Sequence, residues 1–171
     1  NIVKKNINKS IYYFTLSADN HYCNSQYFLG RIYYDGDFVS VDINKSIHYL
    51  TLAANQNNQF AQCLLGQIFY EGIFILKDIS KAINYLILSS KQNNSDAQYL
   101  LGRIYYRNEY IERNINISIK YLTLSSNQNN MYAQGLLGRI YYEGIYVKKD
   151  IDKSIYNLRL SSNQNNRNAQ Y

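Results

Sequence analysis

The sequence predicts an all-α fold, a solenoid of stacked antiparallel helix pairs repeating every 36 residues. Three observations carry this. Gly30, Gly66, Gly102 and Gly138 stand 36 residues apart, inside the strings FLGRIYY, LLGQIFY, LLGRIYY and LLGRIYY. Each period holds two separate stretches of helical periodicity. The 171 residues include no proline, so nothing interrupts a helix from within. A second set of columns keeps the same register: Ile7, Ile43, Ile79, Ile115 and Ile151, then Leu16, Leu52, Leu88, Leu124 and Leu160. Self-similarity of this period is the signature of a repeat architecture, in which each unit buries its apolar face only against its neighbours.

The first helix of a unit shows best at Ala97, Leu100, Leu101, Ile104 and Tyr105. These fall at i, i+3, i+4, i+7 and i+8, one face of an α-helix. Gly36, Gly72 and Gly144 end these helices, with Asn108 taking that place once; both residue types accept the left-handed conformation required there. The second helix carries Ile79, Ala82, Ile83 and Leu86 at the same spacing, with Ser90 continuing the stripe. Asn6, Asp42, Asp78, Asn114 and Asp150 stand just ahead of it and read as N-caps. Gln-Asn-Asn at Gln56, Gln92, Gln128 and Gln164 supplies the turn to the next unit. First helices are expected near 25–35, 61–71, 97–107 and 133–143, and second helices near 7–19, 43–55, 79–91, 115–127 and 151–163. Residues 1–171 therefore read as one repeat domain. A partial unit (1–23, second helix only) precedes complete units at 24–59, 60–95, 96–131 and 132–167, and 168–171 begins a further first helix.

The string Ala97-x3-Leu101-Gly102-x2-Tyr105-x2-Asn108, followed by the cap Asn114 and the small pair Ser125-Ser126, resembles the Sel-one-like repeat, a branch of the tetratricopeptide-type helical repeats. The resemblance covers essentially the whole chain and implies a right-handed α-solenoid that works as a protein–protein interaction scaffold. The chain departs from the family pattern in three places. Ser10, Ser46, Ser118 and Ser154 stand where the family has Ala, with Ala82 conforming. Asn57, Asn93, Asn129 and Asn165, with His21 in the first copy, replace the Gly after the second helix. Phe38, Phe74, Tyr110 and Tyr146 replace a second loop Gly. All three ask the same backbone to accept costlier residues.

The resemblance also implies that first helices line an inner, concave surface. On the wheel, the side opposite the apolar face carries Tyr99, Arg103 and Tyr106 at i, i+4 and i+7. The middle position is Arg31, Gln67 and Arg139 in the other units, and the last is Tyr34, Tyr70 and Tyr142. Arg offers a planar donor fork and Tyr a rigid ring with a polar tip, and both are enriched at binding hot spots. Arg31, Tyr34, Gln67, Tyr70, Tyr99, Arg103, Tyr106, Arg139 and Tyr142 are thus the candidate partner-binding residues, expected on one exposed surface. The column through Tyr99 varies (Tyr27, Cys63, Tyr99, Gly135, Tyr171), as a column free of tight packing would. The third unit's loop brings Arg107, Glu109, Glu112 and Arg113, read as a solvated loop. The leucine column through Leu88 is expected to be core, clasped between repeats.

Other functions find less support. No catalytic residues or metal ligands are assigned. His21, Cys23, His48 and Cys63 do not share a register that would assemble zinc's three or four ligands. No phosphate-cradling glycine loop or nucleophile–base pair is present, so no enzyme activity and no cofactor are expected of this segment. Two cysteines do not make a disulfide framework and read as free thiols. The net charge of +6 is spread over 18 basic residues, with doublets only at Lys4-Lys5 and Lys148-Lys149; it suits an acidic partner. No apolar run reaches membrane-span length. The sequence opens at Asn1 without a leader, as a piece of a longer chain would, and a cytoplasmic setting is expected, with the secretory lumen as the alternative. The sequons at Asn8, Asn44, Asn93 and Asn116 follow from the repeat and from asparagine richness.

The function expected is a non-catalytic adaptor that holds a peptide or helix of a protein partner, within a multi-protein assembly. Two alternatives stay open. One is an RNA-binding repeat array, which 20 Tyr and the positive charge would suit, though a base-reading array should vary in the Arg and Tyr columns where this one is nearly constant. The other is a regulatory repeat segment of a larger chain that carries a catalytic domain.

Overall fold

A computed structural model describes the backbone of residues 2–107 and 109–164, with side chains from residue 7 onward within that span. Among the described residues there are nine helices and no strand: α1 (Ile2–Asp19), α2 (Cys23–Asp35), α3 (Ile43–Asn55), α4 (Gln59–Glu71), α5 (Ile79–Lys91), α6 (Ser95–Arg107), α7 (Ile115–Ser126), α8 (Met131–Glu143) and α9 (Ile151–Ser162). They form two compact halves, Asn1–Gln92 and Asn93–Tyr171. In the first, α2 pairs with α3 and α4 with α5, while α1 packs on α2; in the second, α6 pairs with α7 and α8 with α9.

Second helices fall where the periodicity puts them, and first helices begin two residues earlier than the apolar stripe shows. The reason is a cap that the stripe does not mark. Asn58, Asn94 and Asn130 accept hydrogen bonds from the backbone N–H groups of Ala61, Ala97 and Ala133. Asp42, Asp78, Asn114 and Asp150 cap the second helices in the same way, through the N–H groups of Lys45, Lys81, Ile117 and Lys153. Asn6 is a correction. It lies inside α1, because Ile2-Val3-Lys4-Lys5 contains nothing that stops a helix. Gly36, Gly72 and Gly144 adopt φ of 72°, 63° and 63° as helix-ending residues. Asn108, Asn165, Tyr171 and the expected helix start at 168–171 lie outside the described residues.

The Leu-Gly string exists because of a leucine on the paired helix. A Cβ on Gly102 would lie 2.6 Å from Cγ of Leu122, and one on Gly66 2.6 Å from Cγ of Leu86. Leu50, Leu86 and Leu122 are fully buried. The first-half core gathers Leu50, Ala53, Ala54, Ala61, Leu65 and Ile68, and the second-half core Leu122, Ala133, Leu137 and Ile140.

The turn Gln-Asn-Asn divides three tasks among three residues. Its middle Asn takes the left-handed conformation: φ is 61°, 65° and 62° at Asn57, Asn93 and Asn129, and 63° at His21. Its last Asn is the cap just described. Its Gln reaches back to the first helix of its own repeat, where Gln56, Gln92, Gln128 and Gln164 donate to the side-chain carbonyls of Gln26, Gln62, Gln98 and Gln134 at 2.8–2.9 Å. Those four acceptors are all buried, and Gln26, Gln62 and Gln134 pass their own amide N–H to the carbonyls of Ala18, Ala54 and Ser126. Each buried amide is thereby satisfied, as burial requires. The serines in the alanine column behave unequally. Ser118 donates to the carbonyl of Gly102 at 2.7 Å, whereas Ser46 Oγ is buried with no partner.

The leucine column corrects the expectation. Leu16, Leu88 and Leu124 are 50%, 45% and 40% exposed, and Leu52 and Leu160 are half-buried. Leu88 follows the buried Leu86 by two positions, a turn of about 200° that carries it to the far side of the helix.

Candidate functional site

Tyr34 and Tyr106, opposite the apolar face at the ends of α2 and α6, each meet the following repeat, and the two halves use the same device with one exchange. In the first half, Tyr34 donates its hydroxyl to Oε2 of Glu71 at 3.1 Å, and Gln67 donates its amide to Oε1 of the same carboxylate at 2.9 Å. In the second half, Tyr106 donates to Oε2 of Glu143 at 3.0 Å, and Arg139 Nε to Oε1 at 2.6 Å. A tyrosine and a glutamate thus hold a neutral amide in one half and a guanidinium in the other. Burial and then the Glu71 carboxylate push the Tyr34 hydroxyl up to about 12. Tyr106 is raised for the same reasons, burial first and then its bond to Glu143. The bond from Arg139 is the main cause that holds Glu143 below the usual carboxylate range.

In the second half these side chains border an open groove of about 700 Å³, lined by Tyr99, Arg103, Tyr106, Arg107, Tyr132 and Arg139 with Gly135, Leu136, Tyr142 and Leu158. Gly135 occupies the column that carries tyrosine at Tyr27 and Tyr99, so α8 presents no ring there. Tyr99 packs against Tyr132 with ring centroids 5.7 Å apart, and the Arg103 guanidinium lies 5.6 Å from the Tyr99 ring. Arg107 pairs with Glu109 at 3.3 Å. The lining holds three guanidinium groups and no carboxylate; Glu143 and Glu109 stand outside it.

The remaining candidates are placed less uniformly than one exposed row. Arg31 is exposed and paired with Asp35 at 3.1 Å, and Tyr142 is exposed with Lys149 Nζ 5.0 Å from its ring. Tyr70 is 6% exposed, its ring 5.8 Å from Lys77 Nζ, so it is a buried side chain rather than part of an open surface. Tyr34 and Tyr106 are half-buried. The third-unit loop is also more ordered by side chains than a solvated loop: Arg113 Nε donates to the Tyr106 carbonyl at 2.7 Å, and its guanidinium lies 4.0 Å from the Tyr146 ring centre. The sequence reading did not single out Glu71 and Glu143, which precede the capping glycines Gly72 and Gly144. Their alternation with Asp35 and Arg107 was the available signal.

Both cysteines are free thiols; Cys23 accepts from Asn58 at 3.4 Å. Among the described residues no three His, Cys, Asp or Glu are placed to hold a metal ion, and no helix is long and apolar enough to cross a membrane.

Paired antiparallel helices in phased copies, with a polar face borne on the first helix of each pair, define an α-helical repeat protein. Sel1 repeats match residues 1–22, 23–58, 59–94, 95–130 and 132–166, and the chain belongs to the Sel1 repeat family. Proteins of this family are generally non-catalytic scaffolds for protein interaction. Among solved structures, a Sel1 repeat protein from Oxalobacter formigenes is 26% identical with a TM-score of 0.87, over 95% of this chain and 66% of that one. A protective antigen of uropathogenic Escherichia coli with an SLR fold is 29% identical with a TM-score of 0.89, over 95% of this chain and 35% of that one. A Sel1-type protein from Klebsiella pneumoniae shares the fold at 19% identity and a TM-score of 0.66, over 88% of this chain and 72% of that one. The chain therefore spans less than two thirds of the length of the first two. No curated protein matches the sequence.

Proposed function

We propose that this chain is a non-catalytic adaptor that holds a peptide or helix of a partner protein against the face lined by its first helices, with the groove of the second half as the principal seat. The observation that carries this reading is the groove itself: an open volume of about 700 Å³ whose walls are arginine and tyrosine. These residue types supply most of the energy at protein interfaces, because they bury large rigid area and still offer hydrogen bonds. Arg103, Arg139, Tyr99, Tyr106 and Tyr142 act there, while Arg31, Tyr34 and Gln67 are the corresponding candidates of the first half.

Gly135→Tyr tests the reading without altering charge. The new ring fills the groove, as Tyr99 does one repeat earlier, and tyrosine is a better helix residue than glycine. Partners captured by the wild-type chain are expected to be lost with Gly135→Tyr and with Arg103→Ala/Arg139→Ala, while the helical circular dichroism and melting temperature stay unchanged. Retention of every partner by both folded variants would refute it.

A further inference from the structure

We propose that the groove between α6 and α8 selects an acidic peptide segment, with Arg139 as its fixed anchor and Arg103 and Arg107 as further carboxylate contacts; this rests on the adaptor reading above.

The argument begins with the exchange between the halves. Tyr34–Glu71 and Tyr106–Glu143 are the same pair 72 residues apart, yet the first presents Gln67 and the second Arg139. A structural link needs only an N–H donor for the glutamate, and glutamine provides it. Arginine provides the same Nε donor and adds two terminal nitrogens and a full charge. The Arg139 side chain is 65% exposed, so that charge is presented outward rather than consumed by packing. Glu143 is held on both oxygens, by Tyr106 and Arg139, which fixes the guanidinium plane before any ligand arrives. Such preorganisation lowers the ordering cost of a bidentate carboxylate contact.

The surroundings carry the same sign. Arg103 and Arg107 line the groove with Arg139, and no carboxylate does. Glu143 pairs with Arg139 and Glu109 with Arg107 from outside the lining. Gly135 leaves room for a ligand backbone where tyrosine would stand. The ring faces are partly taken: Tyr99 and Tyr132 pack on each other, and the Tyr106 ring meets Tyr146 and has the Arg113 guanidinium 5.8 Å from its centroid, which favours a peptide over stacked bases.

Fluorescence anisotropy with the whole chain tests the proposal, using labelled hexapeptides of glutamate and of glutamine and an oligouridylate of equal length. The glutamate peptide is expected to bind at least tenfold tighter than the glutamine peptide at 50 mM salt. Arg139→Gln, which rebuilds the first-half arrangement, is expected to weaken it about tenfold, and Gly135→Tyr to abolish binding. Equal affinity for the two peptides, or oligouridylate binding that is tighter and equally lost in Arg139→Gln, would overturn the proposal. A peptide-display selection separates the two levels of the reading. Binders that Gly135→Tyr abolishes but that lack acidic residues would remove the acidic specificity and leave the adaptor reading. No binder sensitive to Gly135→Tyr would remove both.

Discussion

Replacing Gly102 by alanine tests whether the Leu-Gly string is a packing contact or a helix preference. The added Cβ would lie 2.6 Å from Cγ and 2.8 Å from Cδ2 of Leu122, about 1 Å inside ordinary contact, with the Leu122 backbone nitrogen at 3.2 Å. Leu122 is fully buried and has no open space to turn into. Overpacking of this kind costs about 1–3 kcal/mol. Exchanging glycine for alanine within a helix returns about 1 kcal/mol, so Gly102→Ala alone should be neutral to about 2 kcal/mol destabilising. Leu122→Ala alone leaves a cavity and should cost about 2–5 kcal/mol. The informative variant is the double one. With the leucine truncated the side-chain clash is gone and only the backbone nitrogen at 3.2 Å remains, so Gly102→Ala should then be neutral to about 1 kcal/mol stabilising. Urea unfolding followed by helical circular dichroism on the four proteins yields the coupling directly. An equal effect of Gly102→Ala in both backgrounds would show that Leu122 is not what the glycine accommodates.

Other perturbations separate the remaining contributions. Ser46→Ala should raise stability by about 1 kcal/mol, since it removes a buried hydroxyl with no partner; Ser118→Ala, which loses a bond to Gly102, should lower it in the same urea assay. Leu88→Ser should cost well under half of what Leu86→Ser costs, because Leu88 is 45% exposed and Leu86 fully buried; equal losses would place the column in the core. Asp42, Asp78 and Asp150 have lowered pKa values, owing first to the backbone N–H groups they cap. Their stabilisation is therefore present above the ordinary aspartate pKa of about 3.9 and is lost as pH falls through the lower folded values. Asn114 shows that asparagine fills the same cap, so the triple Asp→Asn variant should lose less melting temperature than wild type between pH 6 and pH 2.5. An identical drop would refute that assignment.

Much of the fold was legible because the repeat prints each structural requirement several times. The capping aspartates and the glycines at left-handed positions were each visible three times, and the apolar stripes recurred in every unit. Two features escaped the reading for different reasons. Gln26, Gln62, Gln98 and Gln134 lie beside the alanines of the stripe and look like flanking polar residues; their burial follows only from partners 30 residues later. Asparagine and glutamine richness also reads as composition, although the turn gives each residue its own task. The leucine column was misread because a helix wheel shows that two faces are apolar and does not show which has a neighbour. At the candidate site the residue types were readable, but their exposure was not: Tyr70 is buried, Tyr34 and Tyr106 are half-buried, and Tyr27 and Tyr99 of the variable column pack against the cores. Nor was the commitment of Tyr34 and Tyr106 to glutamates 37 residues onward, because it depends on how one pair of helices rides on the next.

The glutamine relay has a consequence for how such a chain can change length. Every turn amide finds its acceptor 30 residues back in its own repeat, and at Gln26, Gln62 and Gln134 that acceptor's amide donates in turn to a carbonyl of the repeat before it. Adding or removing 36 residues inside a half reproduces the same sequence of donors and acceptors, and every buried amide still has its mate. A change of any other size inside a helix turns a donor or acceptor away from its mate and strands it in the interior, at a cost of about 1–3 kcal/mol. Growth and shrinkage of the chain are thereby quantised, and selection on stability alone would keep the period uniform.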